Sequence, residues 1–190
     1  MSLMNEGVNG GPEGQKRVRD IMIPLDEYPW VRLQDTLKDA IGVMEEARLE
    51  VGRRPSLPRV LLVFDDRDEL VGIVRRRDIM KGLEPDFLVK RPRDERTKNF
   101  GGGVDPHLME ISGGLSLERV IKGLRDNSNR PVYDVIRPIS TTLKPNDQLM
   151  TAVYEMVSLN ESLIAVVDGE DVLGVVRSVD LLHELAELIG

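Results

Sequence analysis

Cysteine is absent from the 190 residues. That excludes disulfide frameworks, thiol nucleophiles and cysteine-based metal sites, and it fits a reducing compartment. Aromatic residues make up only 4%, so a core must be assembled from Val, Ile, Leu and Met. No apolar run approaches the ~20 residues that a membrane-spanning helix needs. The stretch from Met1 to Gly11 lacks the apolar centre of a signal peptide. Positive charge is also short: 26 Lys and Arg face 33 Asp and Glu, a net charge of -7. That balance argues against a general nucleic-acid binder, which needs a surplus of cations. With 41% hydrophobic and 31% charged residues, the expectation is a soluble, globular, cytoplasmic protein with no membrane association.

What is present is repetition. Val18-Arg-Asp-Ile-Met-Ile-Pro24 returns as Val132-Tyr-Asp-Val-Ile-Arg-Pro138. Asp35-Thr-Leu-Lys-Asp-Ala-Ile41 returns as Asp147-Gln-Leu-Met-Thr-Ala-Val153, and Gly72-Ile-Val-Arg-Arg-Arg-Asp78 as Gly174-Val-Val-Arg-Ser-Val-Asp180. Three blocks recur in the same order with different spacers, the mark of an internal duplication. A unit of about 60 residues buries only ~60% of its unfolded surface, so two copies are expected to pack together rather than hang apart.

The periodicity predicts the same elements twice. In the first copy Trp30 to Leu33 reads as a strand, followed by a helix with Leu37, Ala40, Ile41 and Met44 on one face and Asp35 at its start. Gly52 and Pro55 to Pro58 break the chain. Val60 to Phe64 and Leu70 to Val74 then read as strands either side of a charged turn, and Asp78-Ile-Met80 opens a second helix. The second copy has an apolar stripe of Leu149, Ala152, Val153, Met156 and Val157, a hairpin of Ile164–Val167 and Val172–Val176, and a last helix from about Val179 towards Leu188. Residues 1–16 are expected to be a flexible tail. Residues 84–130 are an insertion that neither copy explains. It is basic from Lys90 to Lys98, passes through Gly101 to Gly103, and ends in a helix capped by Ser116 with Leu117, Val120, Ile121 and Leu124 on its buried face.

The three repeated blocks, with Val60–Phe64 and Ile164–Val167, resemble a tandem pair of CBS domains, also called a Bateman module. The resemblance covers roughly residues 17–83 and 131–190. No single block is specific; their order, met twice, is. It implies an α/β (α+β) fold of two strand-helix-strand-strand-helix repeats packed about a pseudo-two-fold axis, usually dimerising further. It also implies adenosine-containing ligands (AMP, ADP, ATP or S-adenosylmethionine) bound in clefts between repeats. A non-catalytic regulatory role is implied too, read by a protein partner whose identity the sequence does not reveal.

The family's nucleotide motif is Gly, two apolar residues, Ser or Thr, two free positions, then Asp. It spans a strand end and a helix start, where backbone N–H groups face anions and a carboxylate can accept from ribose hydroxyls. The matching aspartates are Asp78 and Asp180. At the Ser/Thr position this chain has Arg75 and Arg177. Two readings of that departure stand. The forked guanidinium grips phosphate bidentately, or it fills the pocket and leaves a structural, interaction-scaffold module. Ser178 lies one place late and offers a hydroxyl in the second copy. The basic run at Lys90–Lys98 either covers a polyphosphate tail or is a solvated loop. Gly101–Gly103 lacks the Gly-Lys-Ser/Thr ending of a phosphate-binding loop. His107 and His183 have no accompanying ligand cluster, so no metal site is expected. Trp30 is read as packing near the first strand or as a surface for stacking a base. No nucleophile, base and orienting group fall together, so the expectation is that the protein is not an enzyme.

Overall fold

The computed structural model describes residues 16–52, 54–86 and 117–190. The expected tail (residues 1–15 of it), the run Lys90–Lys98, Gly101–Gly103, His107 and the capping Ser116 lie outside them. In chain order the elements are β1 (Ile23–Pro24), β2 (Trp30–Arg32), α1 (Leu37–Glu46), β3 (Leu49–Val51), β4 (Arg54–Ser56), β5 (Val60–Phe64), β6 (Leu70–Arg75) and α2 (Arg76–Leu83), followed by α3 (Leu117–Ser128), β7 (Thr142–Leu143), α4 (Leu149–Leu159), β8 (Leu163–Asp168), β9 (Asp171–Arg177) and α5 (Ser178–Ile189). Each copy thus has the expected strand-helix-strand-strand-helix order. The short strands β3 and β4 are additional, in the stretch where Gly52 and Pro55 were expected only to interrupt the chain.

The chain forms two compact units, and neither coincides with a sequence repeat. One gathers Pro29–Glu50 and Pro55–Ile139; the other gathers residues up to Tyr28, Val51–Arg54 and Ser140–Gly190. The opening segment of each repeat therefore belongs to the unit built on the other repeat's hairpin.

In the first unit the sheet order is β2-β5-β6, with β2 parallel to β5 and β5 antiparallel to β6. Every residue of β5 is buried, as a continuous apolar run in a central strand should be. Leu61 and Val63 of β5 share a core with Val31, Leu37, Ala40, Met44, Val74 and Ile79. Val132, from the opening block of the second repeat, completes that core. Its segment is held by Val132 N–H donating to the Asp35 carbonyl and by reciprocal 2.9 Å bonds between Ile73 and Arg137.

Helix α1 starts with a capping box. The Thr36 hydroxyl accepts from the Asp39 N–H, and the Asp39 carboxylate accepts from the Thr36 N–H at 3.0 Å. Asp35, expected at this helix start, instead accepts from the Arg32 N–H at 2.7 Å and shapes the turn before it. Bonding to the Thr36 hydroxyl, then to its backbone N–H, lowers the Asp39 pKa. Thr36→Ala is expected to cost about 1 kcal/mol in urea unfolding at neutral pH. Because the folded pKa is depressed, the carboxylate's share is present above the ordinary Asp value and disappears as pH falls through the lowered one. Unfolding curves at pH 7 and near pH 2.5 should therefore show a smaller wild-type to variant gap at the acid end.

Helix α3 departs from expectation. Leu117 is 72% exposed, and Ile121 and Leu124 are exposed too. The periodic face exists, but no residue of the helix is buried. Polar bonds hold it: the Asn127 side-chain amide donates to the carbonyls of Leu83 and Glu84 at 3.3 and 3.0 Å, covering acceptors at the end of α2.

The second unit repeats this plan. Its sheet order is β1-β9-β8-β7, with β7 parallel to β8 and β8 antiparallel to β9. The edge strand β1 comes from the first repeat and pairs antiparallel with β9, Ile23 opposite Val175 and Pro24 opposite Gly174. Val18 is fully buried among Leu143, Leu149, Ala152, Met156, Ile164, Val166, Val176 and Leu181. Val18 N–H donates to the Asp147 carbonyl, the counterpart of the Val132–Asp35 bond. Asn160 closes α4 in the left-handed region at φ 53°, a conformation Asn tolerates.

Candidate functional site

Both strand-to-helix junctions fold alike. Arg75 and Arg177 are extended residues preceding α2 and α5, at φ, ψ of -94°, 152° and -102°, 148°. Three residues on, Asp78 and Asp180 sit in the first helical turn, where negative charge is favoured by the helix dipole. Each arginine turns back onto its own aspartate in a two-point ion pair. Arg75 Nε and Nη2 donate to Asp78 Oδ2 and Oδ1 at 2.8 and 3.2 Å. Arg177 makes the same bonds to Asp180 at 2.5 and 2.6 Å. The sequence placed Arg and Asp in one site; it did not show that they bind each other.

Their surroundings differ. The Arg75 side chain is 25% exposed, while that of Arg177 is 7% exposed. Arg177 is the sole polar or charged residue classed as buried among the described residues. Beside it lies Tyr28, also buried. Burial pushes the Tyr28 hydroxyl far above the usual tyrosine pKa; the Arg177 charge opposes this and the Asp180 charge adds to it. The phenol is therefore neutral throughout the physiological range.

At the other junction, burial alone would raise the Asp78 pKa. The hydrogen bond and charge of Arg75, a backbone bond from Arg75 and the charge of Arg137 outweigh it, so the net shift is downward. Asp78 is consequently an anion at neutral pH, with Arg75 and Arg137 as its cationic neighbours. Arg137 is exposed.

Ser178 is exposed, and its backbone N–H donates to the Ser162 carbonyl at 2.9 Å. The equivalent Arg76 N–H donates to Arg59 O. The first amide of each helix is thus already used. Trp30 is partly exposed, edge-on to Phe64 at 5.6 Å, with the Arg32 guanidinium 5.1 Å from its ring centre. It packs on β5 as expected and keeps one side open. His183 Nε2 lies 3.6 Å from the Glu187 carboxylate, and no cluster of three or more His, Cys, Asp or Glu that could hold a metal ion is found among the described residues. The His183 ring occupies the space where a Cβ on Gly52 would lie, and Gly52 adopts φ +52°.

The glycines that open both motifs have steric duties. A Cβ at Gly72 would overlap the Arg137 carbonyl oxygen, and one at Gly174 the Ile23 carbonyl oxygen. Glycine there lets the exchanged segment lie directly on the strand. Tyr28 and Arg137 went unrecognised in the sequence. Arg137 left a signal: it holds the place of Ile23 in the repeated block, a charge where the other copy is apolar.

The CBS domain family profile matches residues 18–85 and 132–187. The chain belongs to the CBS domain family. It carries two CBS domains in tandem, an α/β fold shared with solved CBS structures. CBSX2 in complex with AMP is 16% identical with a TM-score of 0.57, covering 92% of this chain and 98% of that one. CBSX2 from Arabidopsis thaliana is 15% identical at TM-score 0.59, covering 92% and 97%. A CBS domain-containing protein of unknown function from Kribbella flavida is 15% identical at 0.60, covering 90% and 98%. No curated protein matches significantly. Identities this low speak for the fold and not for the ligand. No described helix is long and apolar enough to cross a membrane.

Proposed function

We propose that this CBS pair is a non-catalytic regulatory module that binds an adenosine-containing ligand, of the class AMP, ADP, ATP or S-adenosylmethionine, at its strand-to-helix junctions. The observation that carries the reading is the partly buried, ionised Asp78 at the first turn of α2, flanked by arginine. A carboxylate offers about four lone-pair directions. Arg75 uses three of them, two through its guanidinium and one through its backbone N–H, and the remaining one suits a ribose hydroxyl. Arginine beside them supplies the charge for phosphate. A protein of similar fold that is solved with AMP supports the ligand class.

In this reading Asp78 and Asp180 take ribose, Arg75 and Arg177 take phosphate, and Ser178 adds a hydroxyl. The protein works as a homodimer in the cytoplasm. Ligand favours one conformation of the pair, and a protein partner reads the change.

Thermal melting with AMP, ADP, ATP and S-adenosylmethionine tests the proposal. Ligand at about 100 times its dissociation constant adds about 2.7 kcal/mol of stability. Asp78→Ala is expected to weaken binding at its junction at least about tenfold, the size of one lost charge-assisted hydrogen bond. An unchanged melting temperature with every adenosine compound overturns the proposal, as does an unaltered shift in the Asp78→Ala, Asp180→Ala double variant.

One observation favours a second reading, a scaffold whose junctions are closed by arginine: Arg177 is buried against its own aspartate. An absence of any ligand response, with assembly and partner binding intact, is its expected outcome.

A further inference from the structure

The two junctions carry the same motif, yet their arginines are placed differently. Arg177 is 7% exposed in its side chain, bonded to Asp180 at two points and adjoined by buried Tyr28. Moving it to a phosphate means pulling a buried guanidinium out of its packed place and breaking both of its bonds to Asp180, which is unfavourable. Arg75 has longer bonds, at 2.8 and 3.2 Å, and is 25% exposed. The two aspartates are almost equally accessible, at 16% and 14%, so the cations and not the carboxylates separate the sites.

A second difference points the same way. Ile73 bridges to Arg137 in one unit, where Val175 pairs with Ile23 in the other. An exposed cation therefore stands beside Asp78, and an aliphatic side chain occupies the equivalent place in the other unit.

We infer that the junctions are not equivalent, which narrows the two-junction reading above to one: the Arg177–Asp180 pair beside Tyr28 is a structural clamp, and the Asp78 junction is the one phosphorylated-nucleotide site of each chain, with Arg75 and Arg137 as its phosphate-side cations. The inference rests on the proposed nucleotide binding for its ligand class, and on the geometry alone for the non-equivalence.

Calorimetric titration of the full chain with ATP, AMP and adenosine is the test. One phosphorylated nucleotide per chain is expected. Arg137→Ala, an exposed change, should weaken ATP about tenfold, as for one charge-assisted hydrogen bond, while adenosine affinity stays unchanged. Asp180→Asn should leave the ATP stoichiometry at one and lower the melting temperature more than Asp78→Asn does. Two ATP per chain, or ATP binding that survives Asp78→Asn and is lost in Asp180→Asn, overturns the assignment. So does an Arg137→Ala variant that binds ATP as wild type. If no adenosine compound binds, the functional proposal falls, and melting alone decides the clamp: an Asp78→Asn loss equal to or larger than that of Asp180→Asn overturns it.

Discussion

Gly174→Ala is expected to destabilise the protein by about 3 kcal/mol, although it adds a single methyl group. Gly174 lies on β9 directly opposite Pro24. The new Cβ would overlap the Ile23 carbonyl oxygen and fall 3.0 and 3.2 Å from the Ile23 carbonyl carbon and the Pro24 Cα. All three are backbone atoms, and no rotamer change clears them. The strand β1 must lift away, taking with it the segment that seats Val18 in the core. A loss of about 3 kcal/mol is a large share of the 5–15 kcal/mol by which domains are stable. Urea unfolding at neutral pH measures it. Gly42→Ala is the control: it lies within α1, and its Cβ would meet nothing within 4 Å. There alanine should add up to about 1 kcal/mol through helix propensity. Equal and small effects at both positions would show that β1 does not rest on β9.

The second large effect concerns dissection. A fragment cut at the sequence repeat, residues 131–190, is expected not to fold. It contains β7, β8, β9, α4 and α5 but lacks β1 and Val18. Its sheet would expose the β9 edge that β1 covers. Its core would hold a void where the fully buried Val18 belongs. A unit of this size has little stability in reserve. Circular dichroism should show no cooperative melting. Residues 16–28 joined by a flexible linker to residues 140–190 should restore a cooperative transition, because that set contains the whole sheet and its core. Cooperative melting of the 131–190 fragment alone would contradict the exchanged arrangement.

Why such dissection misleads is also why the sequence was only partly legible. The hairpins β5–β6 and β8–β9 were readable because long apolar runs bracket short charged turns, and α4 because its stripe repeats at helical spacing. These signals are local. β1 and β7 have two residues each, too few to show any period, and their partners are set by contacts remote in sequence. The aspartates and arginines of the motif were readable as a group. Their mutual pairing was not, since an i, i+3 spacing permits an ion pair without requiring it. Tyr28 gave no sign of its burial beside Arg177. The apolar face of α3 was legible as a pattern, but a pattern does not say that anything covers it. Arg137 differs from its counterpart Ile23 in charge, a contrast that only the alignment of one copy on the other carries.

The exchanged segments also dictate a schedule. A chain emerges from the ribosome from its N-terminus, and domains fold as their parts become available. The unit built on β2, β5 and β6 has all its pieces once residue 139 has emerged. The other must hold residues 17–28 in waiting until β8 and β9 are made, then close a loop of more than a hundred residues (Ile23 to Val175). Pairings that remote in sequence form late and slowly. During synthesis, then, Val18 and Ile23 are unsatisfied apolar groups on the nascent chain until the β8–β9 hairpin that shelters them has been translated.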